Sequence, residues 1–174
     1  MKRLPDRRAF LLVYGGVVFI IYSWALRGFF FQLSSFLLYH SVGEIIAIFA
    51  YMMALALLES LAVMAVLMVT AALLPEAWLR RGFVYKAFLA TLVASAGAIA
   101  LETYLTRQTG SPGLLYAGLA LSLLAWAGLI QFFDRLPRPR SLLLDLIERL
   151  QIFAYIYVPL GLLSLLIVLI RNLG

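Results

Sequence analysis

The chain contains no cysteine, one histidine and few charges: only 13% of its 174 residues are Asp, Glu, Lys or Arg. Without cysteine there is no disulfide, no thiolate metal site and no thiol nucleophile. A single histidine, His40, excludes any multi-histidine metal or haem site built within one chain. Soluble domains carry about 25% charged residues and about 45–50% apolar ones. Here hydrophobic residues reach 65% and the mean hydropathy is +1.04. That balance excludes disorder, a disulfide scaffold and an ordinary water-soluble enzyme. The sequence also lacks a GxSxG elbow, a P-loop, a GxGxxG loop and an HExxH helix, so the common motifs of acyl transfer, nucleotide binding and zinc hydrolysis are missing.

What remains is long apolar runs. A helix needs about 20 apolar residues to cross roughly 30 Å of hydrocarbon. Five runs qualify, at about 9–26, 42–74, 83–105, 114–133 and 152–170. The reading is an all-α, polytopic membrane protein whose residues 1–174 form one transmembrane helical bundle. The run 29–39 (FFFQLSSFLLY) is apolar too, but as a helix it reaches only about 16 Å. Its aromatics suit the headgroup belt, so an outer interfacial segment is expected there. The first span is expected to be retained, because its apolar run is longer than a signal peptide requires.

Eleven of the fourteen basic residues fall on one side of this five-span pattern. They are Lys2, Arg3, Arg7 and Arg8 before span one, Arg80, Arg81 and Lys86 around the second turn, and Arg135, Arg138, Arg140 and Arg149 between spans four and five. Arg27, Arg107 and Arg171 fall on the other side. Cytoplasmic loops collect Lys and Arg, so the expected placement is a plasma (inner) membrane with the N-terminus cytoplasmic and the C-terminus outside. The net charge of +6 then belongs to topology and to anionic lipid on the cytoplasmic leaflet, with Arg135, Arg138 and Arg140 as headgroup contacts. Nothing in it calls for nucleic acid.

The joints follow from local chemistry. Ser41-Val42-Gly43-Glu44 is a capping box that opens span two, and Pro75 closes it. Thr109 to Gly113 is a turn cluster. After the stiff linker RLPRPR, the run SLLLDLIERLQ places Asp145, Glu148 and Arg149 on one face, which predicts a short amphipathic helix on the inner leaflet. Pro159 should kink span five. Small residues recur at helix-packing intervals: Ala90, Ala94 and Ala98 in span three, Gly118 and Ser122 in span four, and Gly15-Gly16 in span one. Such residues let helix backbones approach where lipid supplies no hydrophobic drive.

Glu59 is the informative acid. It lies midway along span two, where an ionisable group costs about 2.5–3.5 kcal/mol on insertion scales and normally turns toward protein. No Lys or Arg shares that depth, so its expected partners are hydroxyls, backbone carbonyls, water or a second subunit. Its functional reading is a proton or cation relay, and its structural reading is an interhelical hydrogen bond. His40, Glu44 and Glu102, with Arg107 nearby, are candidates to meet at an outer mouth.

Three classes of function stand. The first is a small membrane subunit or scaffold that packs with itself or with partner membrane proteins, without catalysis, cofactor or metal. The second is an oligomeric channel or transporter using Glu59. The third is a lipid-modifying enzyme with an outer cleft near Glu102 and Arg107. The absence of repeats and of broken spans weighs against a self-contained transporter, and no catalytic residue can be assigned.

Overall fold

A computed structural model describes residues 6–73, 82–107 and 112–173, the side chains of 103–107, 112, 114 and 115 excepted. Among the described residues the chain forms five helices and no strand: α1 Arg7–Tyr39, α2 Val42–Leu73, α3 Phe83–Arg107, α4 Pro112–Arg135 and α5 Pro137–Leu173. All five are long and apolar enough to cross a membrane. The stop at Pro75, the basic pair Arg80-Arg81 and the turn residues 109–111 lie outside the described residues.

Two segments expected as separate pieces are continuous with their neighbours. The aromatic run 29–39 is the second half of α1, a single helix of 33 residues, about 50 Å long. Gly28 is the only helix-weak residue in its path, and one glycine costs about 1 kcal/mol at most. The helix ends instead at His40, whose extended backbone donates its N–H to the Phe36 carbonyl. At the other junction, the SLLLDLIERLQ run and span five are one helix of 37 residues. Its two prolines at 137 and 139 occupy the first turn, where the missing N–H groups would have no helical partner anyway. Leu136 alone separates α4 from α5. Pro159 is carried inside α5 without ending it.

The capping box is half formed. The Glu44 carboxylate accepts both the Ser41 backbone N–H at 2.8 Å and the Ser41 hydroxyl at 2.9 Å. At the start of α3, Gly82 adopts a φ of +77°, a left-handed conformation that glycine takes without penalty.

Helices α1 and α5 together form the hub. Helix α1 packs against α2, α3 and α5, and α5 packs against all four others, whereas α4 touches only α3 and α5. The α1–α5 pair runs parallel: Arg8 bonds Glu148, Phe19 packs on Phe153 and Tyr22 stacks on Tyr157. Helix α2 runs antiparallel to both, with Tyr14 opposite Ser60, Phe29 against Phe49 and Tyr51 bonded to Asn172. Two glycines make the approach possible. A β-carbon on Gly15 would come within 2.6 Å of the Gln151 α-carbon, and one on Gly16 would meet the Phe88 ring. The Gly15-Gly16 pair therefore presents α1 to α5 on one side and to α3 on the other, as small-residue packing requires.

A third close contact lies deeper. Tyr22 is fully buried, and its hydroxyl rests on Gly161 beside Leu57, where a β-carbon would collide with it. That hydroxyl has no hydrogen-bond partner among the described residues. Gly161→Ala is therefore expected to destabilise the protein by about 1–3 kcal/mol through overpacking. Tyr22→Phe removes the colliding oxygen and an unsatisfied polar group, so the double substitution should recover most of that loss. Thermal unfolding of the four variants in detergent checks this, and strictly additive effects would contradict the contact.

Candidate functional site

The polar side chains fall into three groups, one at each end of the bundle and one at the middle of α2. At the end where α1, α3 and α5 begin, Tyr85 and Lys86 on the first turn of α3 meet Asp134 from the last turn of α4. The Tyr85 hydroxyl hydrogen-bonds to the Asp134 carboxylate, and the Lys86 ammonium lies 4.0 Å from it. The Lys86 side chain is only 6% exposed, against 46% for Asp134, so the lysine is the desolvated partner. Its backbone carbonyl accepts the Trp126 indole N–H at 3.1 Å. From α5, the Arg140 guanidinium lies 4.8 Å from the centre of the Tyr85 ring, within reach of a cation–π attraction. Three helices are thus tied at one point. Arg140 is half-buried on that ring, while Arg135 and Arg138 are exposed at the same end.

At the opposite end, His40 Nδ1 lies 3.8 Å from Glu44, and the Tyr51 hydroxyl donates to Asn172 at 3.0 Å. The expected meeting of His40, Glu44 and Glu102 is not found: among the described residues no three His, Asp or Glu side chains converge. The reason is architectural, since α3 packs mainly on α1 and α4 and barely touches α2. The Arg107 side chain lies outside the described residues. Arg27 stacks over Trp24 at 4.9 Å.

The small residues also sort differently from their spacing. Ala90 packs at the edge of the core formed by Val13, Val17, Met64 and Phe83, but Ala94 and Ala98 are exposed. Further along α3, the close approach to α4 is at Gly97, where a β-carbon would come within 2.9 Å of the Ser122 hydroxyl. Gly118 has open space around it.

Glu59 is the central case. It stands near the middle of α2 and is exposed, whereas the next residue, Ser60, is fully buried. Ser60 donates to the Leu57 carbonyl at 2.8 Å and faces the Tyr14 hydroxyl at 3.4 Å. Glu59 therefore turns away from the hydroxyls of its own bundle, and a second subunit stays among its expected partners. Successive helical positions are about 100° apart, and the hydroxyls of Ser60, Tyr14 and Tyr22 occupy the inward face. No hydrogen bond or ion pair engages Glu59 among the described residues.

No family model, curated protein or solved structure matches this chain. The site therefore has to be argued from its own geometry.

Sequence reasoning missed Tyr85, Trp126 and Asp134, and placed Lys86 as one of the basic residues on the inner side. One signal was present: Asp134 directly precedes the basic run that begins at Arg135, so an acid stands among cations. Asp134→Ala should cost about 1–3 kcal/mol, because it withdraws the hydrogen-bond acceptor of buried Tyr85 and one charged neighbour of buried Lys86. Adding Lys86→Met should restore part of that loss. Unfolding in detergent measures both, and a melting temperature unchanged by Asp134→Ala would contradict the tie.

Proposed function

We propose that this chain is a structural subunit of a membrane protein assembly, held in the membrane by five helices and joined to other protein along α2. The observation that carries the reading is Glu59, a carboxyl at mid-helix on the outward face, engaged by no hydrogen bond or ion pair among the described residues. Left against hydrocarbon, such a group costs about 2.5–3.5 kcal/mol, and intramembrane acids normally face protein or water. Coverage by a neighbouring helix removes that cost.

The other polar groups support the same reading. Tyr85, Lys86, Trp126 and Asp134 fasten helices to one another, and Tyr14 and Ser60 face each other inside the bundle. Helix α4 exposes Leu119, Leu121, Leu123 and Leu124, and no residue of its apolar window is buried. An exposed apolar surface of that extent suits lipid or another membrane protein. The distribution of basic residues supports a cytoplasmic N-terminus and an outside C-terminus in the plasma (inner) membrane, with anionic lipid around Arg135 and Arg138.

Transport through Glu59 is less well supported. The hydroxyls of Tyr14, Ser60 and Tyr22 face away from Glu59, so they form no path that would hand it a proton.

Mild extraction from the native membrane should yield a complex larger than the 19.4 kDa protomer. The purified chain in proteoliposomes should carry no proton or cation flux. A monomer on extraction contradicts the subunit reading, and a flux abolished by Glu59→Gln replaces it with the transport reading.

A further inference from the structure

Helix α2 carries two seams on opposite faces. The buried one is Ala50, Met53, Leu57, Ser60, Met64 and Leu67, at alternating intervals of three and four, and it holds α1 and α5. Facing away from it, Leu55, Glu59, Ala62, Val66, Val69 and Leu73 follow at alternating intervals of four and three, and all six are exposed. A repeat of 3.5 residues is the spacing that lets two helices pack along their length with side chains interlocked. In so apolar a helix, spacing alone decides little. The carboxyl of Glu59 within the outer seam, followed one turn later by the small Ala62, distinguishes that face from one that merely meets lipid.

We infer that the outer seam of α2 is a homodimer interface, in which Glu59 of one protomer meets Glu59 of a second copy of this chain across a two-fold axis along the membrane normal. This rests on the subunit reading and names its partner. Copies of one chain insert in one orientation, so two α2 helices related by such an axis run parallel and like residues lie at the same depth. The polar group is then matched without any further adjustment.

Self-pairing suits the chemistry of this residue. A carboxylic acid offers one O–H donor and acceptor oxygens on the same group. Two of them bond reciprocally, or share a proton, because two carboxylates cannot both stay charged side by side away from water. Across such an axis each protomer presents its own Glu59 to the other, so the acid–acid pair is the contact that a copy of itself supplies. A lone polar residue in an otherwise apolar seam fixes register and partner number, as a buried polar position does in soluble coiled coils. Ala62 and the β-branched Val66 and Val69 allow the backbones to close beyond it.

The chain has no cysteine, so single-cysteine variants of the full protein report contacts without background. Ala62→Cys in native membranes should form a disulfide-linked dimer on oxidation with copper phenanthroline. Leu121→Cys on the exposed face of α4 should not. In the Ala62→Cys background, Glu59→Gln should keep the cross-link because the amide both donates and accepts. Glu59→Leu should weaken dimerisation roughly tenfold, measured by dilution into excess detergent micelles. Equal cross-linking at 62 and 121 overturns the proposal, as does a dimer indifferent to Glu59→Leu. No cross-link at 62 in a complex that contains a different protein overturns the homodimer and leaves the subunit reading standing. No cross-link at 62 in a chain that extracts as a monomer overturns both.

Discussion

The architecture depends on how closely α1 approaches α5. In lipid, helices gain no hydrophobic free energy by leaving a solvent as apolar as themselves, so packing density and hydrogen bonds must hold them. Gly15 lets the α1 backbone lie against the backbone of Gln151, and its neighbour Gly16 admits the Phe88 ring of α3. From that saddle the rest follows in register. Arg8 reaches Glu148 on the basic side, and on the other Phe19 packs tilted against Phe153 and Tyr22 stacks on Tyr157. The Arg8–Glu148 pair is exposed on both sides, so it marks the register more than it stabilises it. Helix α2 then closes the groove between α1 and α5, with Met53, Ala56 and Leu57 meeting Val18 and Tyr22.

Polar groups in such a bundle are costly unless bonded, and several of them here are bonded within the chain. Thr91 and Thr70 return their hydroxyls to carbonyls four residues earlier on their own helices. The Trp126 indole pins α4 to α3. Among the described residues, Tyr22 and Glu59 are not bonded in this way. The Tyr22 hydroxyl is buried without a partner among the described residues, a cost offset by the stacking of its ring on Tyr157 and by the closeness that Gly161 permits. Glu59 points the other way, out of the protomer. The first is a compromise of packing. The second is the mark of an unfinished structure, and it directs the functional argument toward assembly.

Much of the helical organisation was legible in the sequence, because apolar runs of spanning length have few alternatives in so hydrophobic a chain. The lengths of α1 and α5 were not legible, because helix ends were read from where hydrophobicity fades. A helix ends where its backbone is capped or broken. Gly28 does neither, and Pro137 and Pro139 sit where prolines are harmless. The phase of α3 was also hidden: Ala90, Ala94 and Ala98 share a spacing, but spacing cannot say which neighbour lies on which side, and Gly97 proved to be a close α4 contact. Glu59 was singled out by its depth, yet its outward direction depends on where α1 and α5 lie around α2, which is long-range information. Asp134 was overlooked for the same reason, since its partners Tyr85 and Lys86 lie on a different helix.

The parallel, closely packed α1–α5 pair is the claim on which the hub, the outward direction of Glu59 and the α2 seam all depend. Paired cysteines test it directly in a chain with no cysteine of its own. Phe19→Cys with Phe153→Cys, and separately Tyr22→Cys with Tyr157→Cys, should each form an intramolecular disulfide on oxidation, because one register brings both pairs together. A bundle in which neither pair cross-links, or in which Phe19→Cys cross-links instead to a cysteine at Leu169 near the far end of α5, would contradict the parallel register and the account built on it.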